Sequence, residues 1–248
     1  MPAEESSPAI VLRTRDYAEA DRIVTLLTRE FGKLSGIAKG AKASRRRFER
    51  KLEPFSHVTL YFRRRPNGQL VFITRAEATD DATPALEDDL AKIALGSYML
   101  ELADALTTEE AEAAGAYRVL IAALAALGRE GANAAMRRAY ELKLLAATGY
   151  GLDFANCRRC GAGAADHVYF VITRGGIVCA RCRADAPESA VRLNVASASA
   201  LARLTTADFA DAGAIGHGGA DAALALARFL GSILDRRLRS VDFMESVL

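Results

Sequence analysis

Four cysteines, Cys157, Cys160, Cys179 and Cys182, are the residues whose type and spacing speak most directly to chemistry, and the chain has no others. They form C-x2-C, eighteen intervening residues, then C-x2-C, a spacing that reads as a zinc site. Two tight pairs, each on its own turn, supply four thiolates at the corners of a tetrahedron about 2.3 Å from the metal. Four protein ligands leave no place for a metal-bound water, so the expected cofactor is one structural Zn(2+) per chain with no part in catalysis. Two disulfides are the alternative. They suit a small secreted scaffold, not a chain of 248 residues that starts MPAEESSPA, acidic and polar, unlike an export signal. A redox C-x-x-C needs a strand before it and a helix after it, whereas Cys160-Gly161 opens into a Gly/Ala stretch. His167 lies between the pairs, a further donor that four thiolates make redundant.

The second chemical pattern is cationic. Lys39, Lys42, Arg45, Arg46, Arg47, Arg50 and Lys51 place seven cations in thirteen residues, opposed only by Glu49, and Arg63, Arg64 and Arg65 add three more. Like charges packed this densely repel one another unless an anion lies against them. Phe48, Phe55, Tyr61, Phe62 and Phe72 lie among them. Cations along a groove with aromatic rings nearby hold single strands without sequence preference. The competing reading is a solvated charge run over barrel-core aromatics; two runs on one small domain weigh against it. The whole chain has a net charge of +2, but residues 1–75 hold 16 Lys and Arg against 8 Asp and Glu, so the remainder carries −6. Such a split is expected when one part faces a polyanion.

Catalytic patterns are missing. There is no GxSxG, P-loop, GxGxxG or HExxH. His57, His167 and His217 stand apart from one another; His57 falls on a predicted strand with a structural role, His217 in a loop. The chain reads as a non-enzymatic binder.

The elements that must position these residues change character along the chain. Residues 9–13, 22–28 and 33–38 are short β-prone runs. His57–Phe62 and Leu70–Thr74 flank Pro66-Asn67-Gly68, a strong hairpin signal because both central residues need positive φ. Five strands in about 70 residues predict a small closed barrel such as the OB-fold over 1–80; on strand count alone an SH3-like barrel fits almost as well. From residue 81 to 248 the period is helical. Thr83-Pro84 predicts an N-cap and first turn, followed by Glu87, Asp88 and Asp89. Leu95, Tyr98, Met99, Leu102 and Leu106 recur at helical spacing. Thr107 to Glu110 predicts a capping box before a helix carrying Tyr117, Leu120, Ile121, Leu124 and Leu127. Met136, Tyr140 and Leu144 mark a third helix, ended by Gly149 and Gly151. Two more are expected near 195–204 and 220–238. The cysteine segment, 153–190, reads as an insertion in this helical domain. It is too short to be stable on its own apolar burial, so metal binding supplies the missing folding free energy. The fold class expected is α+β and multidomain: an N-terminal OB-fold β-barrel followed by an α-helical domain with an inserted four-cysteine zinc module. A hydrophobic fraction of 51% and a charged fraction of 26% suit a soluble protein. Charges interrupt every apolar run, so no membrane span is expected, and paired free thiols suit the cytoplasm.

Several stretches resemble the recombination mediator RecO family. They are residues 11–17 (VLRTRDY), 19–24 (EADRIV), 28–33 (TREFGK), 36–41 (GIAKGA) and 52–55 (LEPF), then 140–145 (YELKLL) with Gly149-Tyr150 leading to Cys157, and the ending Leu238-Arg239-Ser240. Some family members lack the cysteines; this chain keeps all four. The resemblance implies an OB-fold, a helical domain and a zinc module. It also implies binding to single- and double-stranded DNA and annealing of complementary strands. The implied partners are RecR and the C-terminal tail of single-strand DNA-binding protein (SSB), in a pathway that loads RecA on SSB-coated DNA during repair, at the nucleoid. The expected DNA contacts are Arg13, Arg15, Lys33, Lys39, Lys42, Arg45, Arg46, Arg47, Arg50, Lys51, Arg63, Arg64 and Arg65. Arg137, Arg138 and Lys143, beside an apolar helix face, are expected to rim a groove for the acidic tail. An RNA-binding or ribosome-associated OB protein with a zinc ribbon is the runner-up, distinguished by whether a 2′-hydroxyl matters. A third class is an adaptor whose basic face meets an acidic protein.

Overall fold

The computed structural model describes residues 3–48, 50–65, 70–79, 86, 89–109, 113–164 and 167–248. Strands β1 (Glu5–Tyr17), β2 (Asp21–Thr28), β3 (Gly32–Ala38), β4 (His57–Arg63) and β5 (Val71–Ala78) close into a barrel in the order β1-β2-β3-β5-β4. β4 returns to β1 from Glu5↔Phe62 to Ile10↔His57. The β3–β5 pair is parallel, Gly36↔Val71 and Ile37↔Phe72; the others are antiparallel. With a helical turn, α1 (Arg45–Phe48), between β3 and β4, the arrangement is OB-like. A side chain at Gly36 would bring its Cβ to 2.7 Å from Ile73 Cγ1, so the parallel seam closes only over glycine. The expected strands are all present. β1 is far longer than its five-residue apolar run because it serves two partners. Its first half pairs with β4 and its second with β2, and a register shift between Val11 and Arg13 bends it between them. The Pro66-Asn67-Gly68 turn lies outside the described residues, but β4 and β5 flank it in antiparallel register.

β1 is also buried on both faces. Ala9 and Val11 point into the barrel core, while Ile10 and Leu12 join the core of the helical body. That body contains α2 (Leu90–Leu106), α3 (Ala114–Glu130), α4 (Ala134–Ala147), α5 (Val195–Thr206), α6 (Ala212–Ile215), α7 (Gly219–Ile233) and α8 (Ser240–Val247). The expected cap at Thr83-Pro84, with Glu87 and Asp88, lies outside the described residues. α2 starts at Leu90, capped by Asp89, whose Oδ1 accepts from the amides of Ala91 and Lys92. Thr107, expected to open a capping box, ends α2 as its C-cap. The Thr107 hydroxyl is buried and donates to the Ala103 carbonyl at 2.7 Å, because the last carbonyls of α2 need donors. Glu110 lies outside the described residues, and Ala113 precedes α3 without a side-chain cap. The last expected helix, 220–238, stops at Ile233, and the chain turns into α8, which packs on α2. Sequence periodicity misses α8 because it is only eight residues long with one fully buried side chain, Met244.

The cysteine segment carries β6 (Val168–Val171), β7 (Gly176–Cys179) and β8 (Val191–Leu193), ordered β7-β6-β8. One face of this sheet, with Val168, Phe170, Ile177, Val191 and Leu193, belongs to the helical core. Phe170 stacks on Phe154 at 5.2 Å and meets the edge of Phe229 at 6.1 Å. The other face holds Val171 and Val178 against Cys157 and Cys182. The segment is therefore half core element rather than a free-standing excursion.

Polar contacts lock the barrel to the helices. Asp104 of α2 accepts from Arg13 Nε at 2.9 Å and from Lys33 Nζ at 3.1 Å, and Lys33 also donates to the Asp104 carbonyl at 2.6 Å. Ser35 donates to Glu109 at 2.6 Å. His57 Nε2 meets the Tyr117 hydroxyl at 2.6 Å and its Nδ1 meets Thr79 at 3.1 Å, a structural role as expected. Glu101 of α2 fixes the start of α8. It accepts from the Ser240 amide and hydroxyl at 2.8 and 2.7 Å, the Arg239 amide at 3.1 Å and Arg236 Nη1 at 2.7 Å.

Two outcomes follow from these joints. Asp104→Ala leaves the Lys33 ammonium, 13% exposed, without its carboxylate, and should lower stability by about 2–3 kcal/mol. Urea unfolding measures the loss, and hydrogen exchange should localise it to β1, β3 and α2. For Glu101, burial raises the carboxyl pKa, but the donors from Ser240 and Arg236 outweigh it and bring it down to about 2. A folded-state pKa below the unfolded value of about 4.3 stabilises above that value and is lost as pH falls through the folded one. Acidification from about pH 4.5 towards about 2 should expose the amides of residues 240–247 before those of the barrel.

Candidate metal centre and nucleic-acid interface

The cysteines come together because two turns face each other across β7. In the first, the Cys157 amide donates to the Ala162 carbonyl at 2.8 Å and the Gly161 amide to the Cys157 carbonyl at 2.9 Å, with Gly161 at φ 74°. The Arg158 amide ties this turn to Ile177 of β7 at 2.8 Å. Gly176 makes that approach feasible, since a Cβ there would lie 2.7 Å from Arg158 Cγ and 2.8 Å from the Asp153 carbonyl. In the second, Cys179 ends β7 and Cys182 follows in a 3-10 turn, Ala180–Asp185. All four Sγ atoms lie within 4.8 Å of one another, and Cys160 and Cys179 are 3.8 Å apart. A tetrahedron with metal–sulfur bonds of about 2.3 Å has an edge of about 3.8 Å. All four thiols are free of disulfides.

The electrostatics fit a cation. Burial raises the Cys157 thiol pKa, but the amides of Cys160, Cys179 and Arg159 more than offset this and bring it to about 6. Cys179 is also lowered, first by the Cys182 amide. Cys182 is pushed up to about 12 by burial and by the other three thiols. Four crowded sulfurs cannot all ionise alone, and a bound metal reverses that. These four residues can hold a metal ion. His167 lies with its ring edge on Tyr169 at 5.4 Å and is not part of the donor group.

The two basic runs lie at opposite ends of β1. Residues 39–53 wrap the end near Tyr17: the Gly40 amide donates to Asp21 at 2.8 Å, the Lys42 amide to the Ala20 carbonyl at 3.0 Å, and Lys42 Nζ pairs with Asp16 at 3.1 Å. At the start of β1, Arg64 pairs with Glu5 at 3.1 Å and lies over the rings of Phe31 and Phe62. Arg47 donates to the Lys39 carbonyl at 3.0 Å and lies over Phe48 at 5.0 Å. The side chains of Arg45 and Arg46 lie outside the described residues. Arg15, Lys39, Arg50 and Arg65 are exposed and make no ion pair among the described residues. Lys51, half-buried, lies near enough to Glu77 to lower its pKa, behind Arg75 and Tyr61. Arg63 is half-buried, with no hydrogen-bond partner for its Nε among the described residues. Arg13 and Lys33 are committed to Asp104.

The three expected groove residues all have polar partners within the helical body. Glu141 of α4 is fully buried and accepts from Arg137 Nε and Arg138 Nη1, each at 2.8 Å, and from the Tyr98 hydroxyl at 2.7 Å. Burial raises the Glu141 carboxyl pKa, but Arg138 and Arg137 hold it below its usual value. Arg137 and Arg138 therefore neutralise a core carboxylate, and Arg137 Nη1 also lies 3.5 Å from Glu245 of α8. Lys143 donates to the Thr205 carbonyl at 3.1 Å and lies 5.5 Å from the Phe209 ring. Among the aromatics, Phe48 and Phe62 are core. The exposed ring at the basic end is Tyr17, 52% accessible. Sequence reasoning passes over it, as it does Arg22, which is hidden in the apolar run of β2. Aromatic residues at strand ends are the signal that points to Tyr17.

Cys157→Ser or Cys182→Ser should abolish stoichiometric metal binding and expose β6–β8 to protease while the barrel stays folded. Elemental analysis and limited proteolysis check this. Retention of one equivalent of metal by either variant would place the ligands elsewhere.

Comparison with known proteins covers both halves of the chain. The family described as "Recombination protein O N terminal" matches residues 1–81, and "Recombination protein O C terminal" matches residues 87–244. DNA repair protein RecO of Anaeromyxobacter sp. (strain Fw109-5) is 38% identical over 242 residues, covering 96% of this chain and 94% of that protein. The Nocardioides sp. (strain ATCC BAA-499 / JS614) protein of the same name is 36% identical, with 96% and 97% covered. That of Streptomyces griseus subsp. griseus is 34% identical over 245 residues, with 95% and 96% covered. With both family halves in register and an OB-like barrel joined to a helical body that carries four clustered cysteines, this chain belongs to the RecO family of DNA repair proteins.

Proposed function

We propose that this protein is a non-enzymatic DNA-binding recombination mediator. It binds single- and double-stranded DNA through the basic end of the barrel, anneals complementary strands, and works with RecR to help load RecA on SSB-coated DNA. The observation that carries this reading is a set of exposed cations on β1 and the basic segment. Arg15, Lys39 and Arg50 are exposed and without ion pairs among the described residues, and Tyr17 of β1 is an exposed ring. An aromatic face among cations gives a base a surface to stack on while phosphates are neutralised. Annealing needs no nucleotide hydrolysis: two strands repel through their phosphates, and a cationic surface that meets both lowers that barrier by releasing counterions. The SSB tail, RecR and RecA rest on family membership alone, and no residues are assigned to them. The metal is zinc, one ion held by Cys157, Cys160, Cys179 and Cys182, because four thiolates in a closed tetrahedron suit zinc. It braces β6–β8 and leaves no open coordination position for chemistry. No described helix is long and apolar enough to cross a membrane; the proposed place of action is the nucleoid in the cytoplasm.

A salt-varied titration of single-stranded DNA against RNA of the same sequence tests this reading. Wild-type protein should bind DNA of any sequence alike, since phosphate contacts carry no base information. Replacing Arg45, Arg46 and Arg47 together by Ala should reduce the salt slope on single strands by about 2, from roughly 0.7 per contact, with annealing falling in step. Wild-type affinity and slope in the triple variant would remove the basic segment from the interface. Preference for RNA through its 2′-hydroxyls would favour an RNA-binding role instead.

A further inference from the structure

A small cavity of about 200 Å³ opens at the foot of the basic segment, lined by Arg22 of β2, Lys42, Ser44, Phe48 and then Arg50 and Glu53. Two of its cations, Lys42 and Arg50, belong to the basic run, and Arg22 joins them from β2, so sequence spacing alone does not reveal the three as a group. Arg22 donates through Nη1 to Glu53 at 2.6 Å, but its Nε is buried and has no hydrogen-bond partner among the described residues; Asp16 Oδ1 lies 3.6 Å from it. A buried guanidinium nitrogen is a strong donor that favours an acceptor oxygen. Lys42 Nζ lies 3.1 Å from Asp16. Arg50 makes no ion pair among the described residues. Its backbone is held at φ 51°, with its carbonyl accepting from Ser56 Oγ at 3.2 Å. Residues other than glycine rarely adopt that conformation, and strained backbone that persists tends to mark a functional site. Ser44 Oγ accepts from the Arg47 amide and Nε at 3.3 and 3.4 Å, so its own hydrogen is uncommitted. Among the described residues, the three cations Arg22, Lys42 and Arg50 stand against two carboxylates, Asp16 and Glu53.

We propose that this cavity seats a single internucleotide phosphate. Arg22 Nε and the Arg50 guanidinium donate to its oxygens, Ser44 donates a third hydrogen bond, and Lys42 supplies further charge. Glu53 orients the Arg22 guanidinium by holding its Nη1. The inference rests on the nucleic-acid reading above and adds a fixed anchor to an otherwise diffuse cationic surface. A planar guanidinium is the group suited to such directed recognition of phosphate oxygens. Because the phosphodiester is common to DNA and RNA, the seat itself does not discriminate between them.

The test uses the full chain with oligo(dT) and oligo(rU) of equal length. Arg50→Asn keeps a side chain that tolerates left-handed backbone but removes the charge. The salt slope should fall by about 0.7, and affinity by about ten-fold, the weight of one charge-assisted hydrogen bond. Arg22→Lys keeps the charge and drops the Nε donor, so affinity should fall while the slope stays at the wild-type value. That split separates a directed seat from general attraction. Arg65→Ala, at the other end of β1, should change the slope without abolishing the effect of Arg50→Asn. An unchanged unfolding midpoint and metal content show that each variant is folded. Titration with inorganic phosphate should shift the Arg22 Nε–H resonance saturably. Wild-type binding that survives intact in both Arg22→Lys and Arg50→Asn overturns the seat alone. A wild-type protein that binds neither oligonucleotide overturns the nucleic-acid reading together with it. Loss on only one of the two oligonucleotides also overturns the seat, because a phosphate contact is blind to the sugar.

Discussion

Asp104 is the contact on which the arrangement of the two halves depends. One carboxylate on α2 accepts from Arg13 of β1 and Lys33 of β3, so two neighbouring regions of the barrel share one anchor on the helical body. The Lys33 side chain is only 13% exposed and Asp104 10%. An ammonium in that setting is costly unless a carboxylate meets it. The apolar half of the joint is supplied by Ile10 and Leu12, the outward residues of a strand whose inward ones fill the barrel. The barrel's orientation is thus fixed by side chains that face away from its own core.

The same rule governs the interior of the helical body. Glu141 is fully buried and survives as a carboxylate because Arg137, Arg138 and Tyr98 converge on it from α4 and α2. A buried pair of this kind is weak evidence for extra stability, since desolvation consumes most of the attraction, but losing one partner leaves an uncompensated charge. Its effect is to assign two arginines permanently to structure. The cysteine segment follows a parallel logic: one face of its sheet is held by Phe154, Phe170 and Phe229, and the other carries four sulfurs close enough to hold one metal ion.

Cations committed to structure leave a smaller free set. Among the described residues, Arg15, Lys39, Arg50 and Arg65 are exposed and make no ion pair. The segment that follows α1 carries two non-glycine residues at positive φ, Arg50 at 51° and Phe55 at 72°. Arg50 lines the small cationic cavity, and the Phe55 ring packs over Gly96, where a Cβ would approach it to 2.9 Å. One turn of chain thereby anchors the barrel to α2 through Phe55 and presents Arg50 to solvent. This is strain held in place by packing on both sides.

The sequence determined what local chemistry and periodicity can encode. Four cysteines at C-x2-C spacing name a metal site whatever the fold, because each pair is bridged by one short turn. Alternating apolar runs around an Asn-Gly turn name a small barrel, and 3.6-residue stripes name α2, α3, α4, α5 and α7. Density of charge named residues 1–75 as the basic part of the chain. The tertiary structure alone decided which charges are free. Arg137 and Arg138 look like surface cations in a helix, and only the placement of Tyr98 beside Glu141 turns them inward. Lys33 looks like Lys39, and only Asp104, 71 residues away, separates their fates. Arg22 sits in an apolar strand, and only the return of the chain through Lys42 and Arg50 makes it part of a cationic pocket. The reason is physical: a charge in water costs little and interacts weakly, so sequence cannot rank one lysine above another. Burial and long-range partners set its energy, and both exist only once the chain has folded.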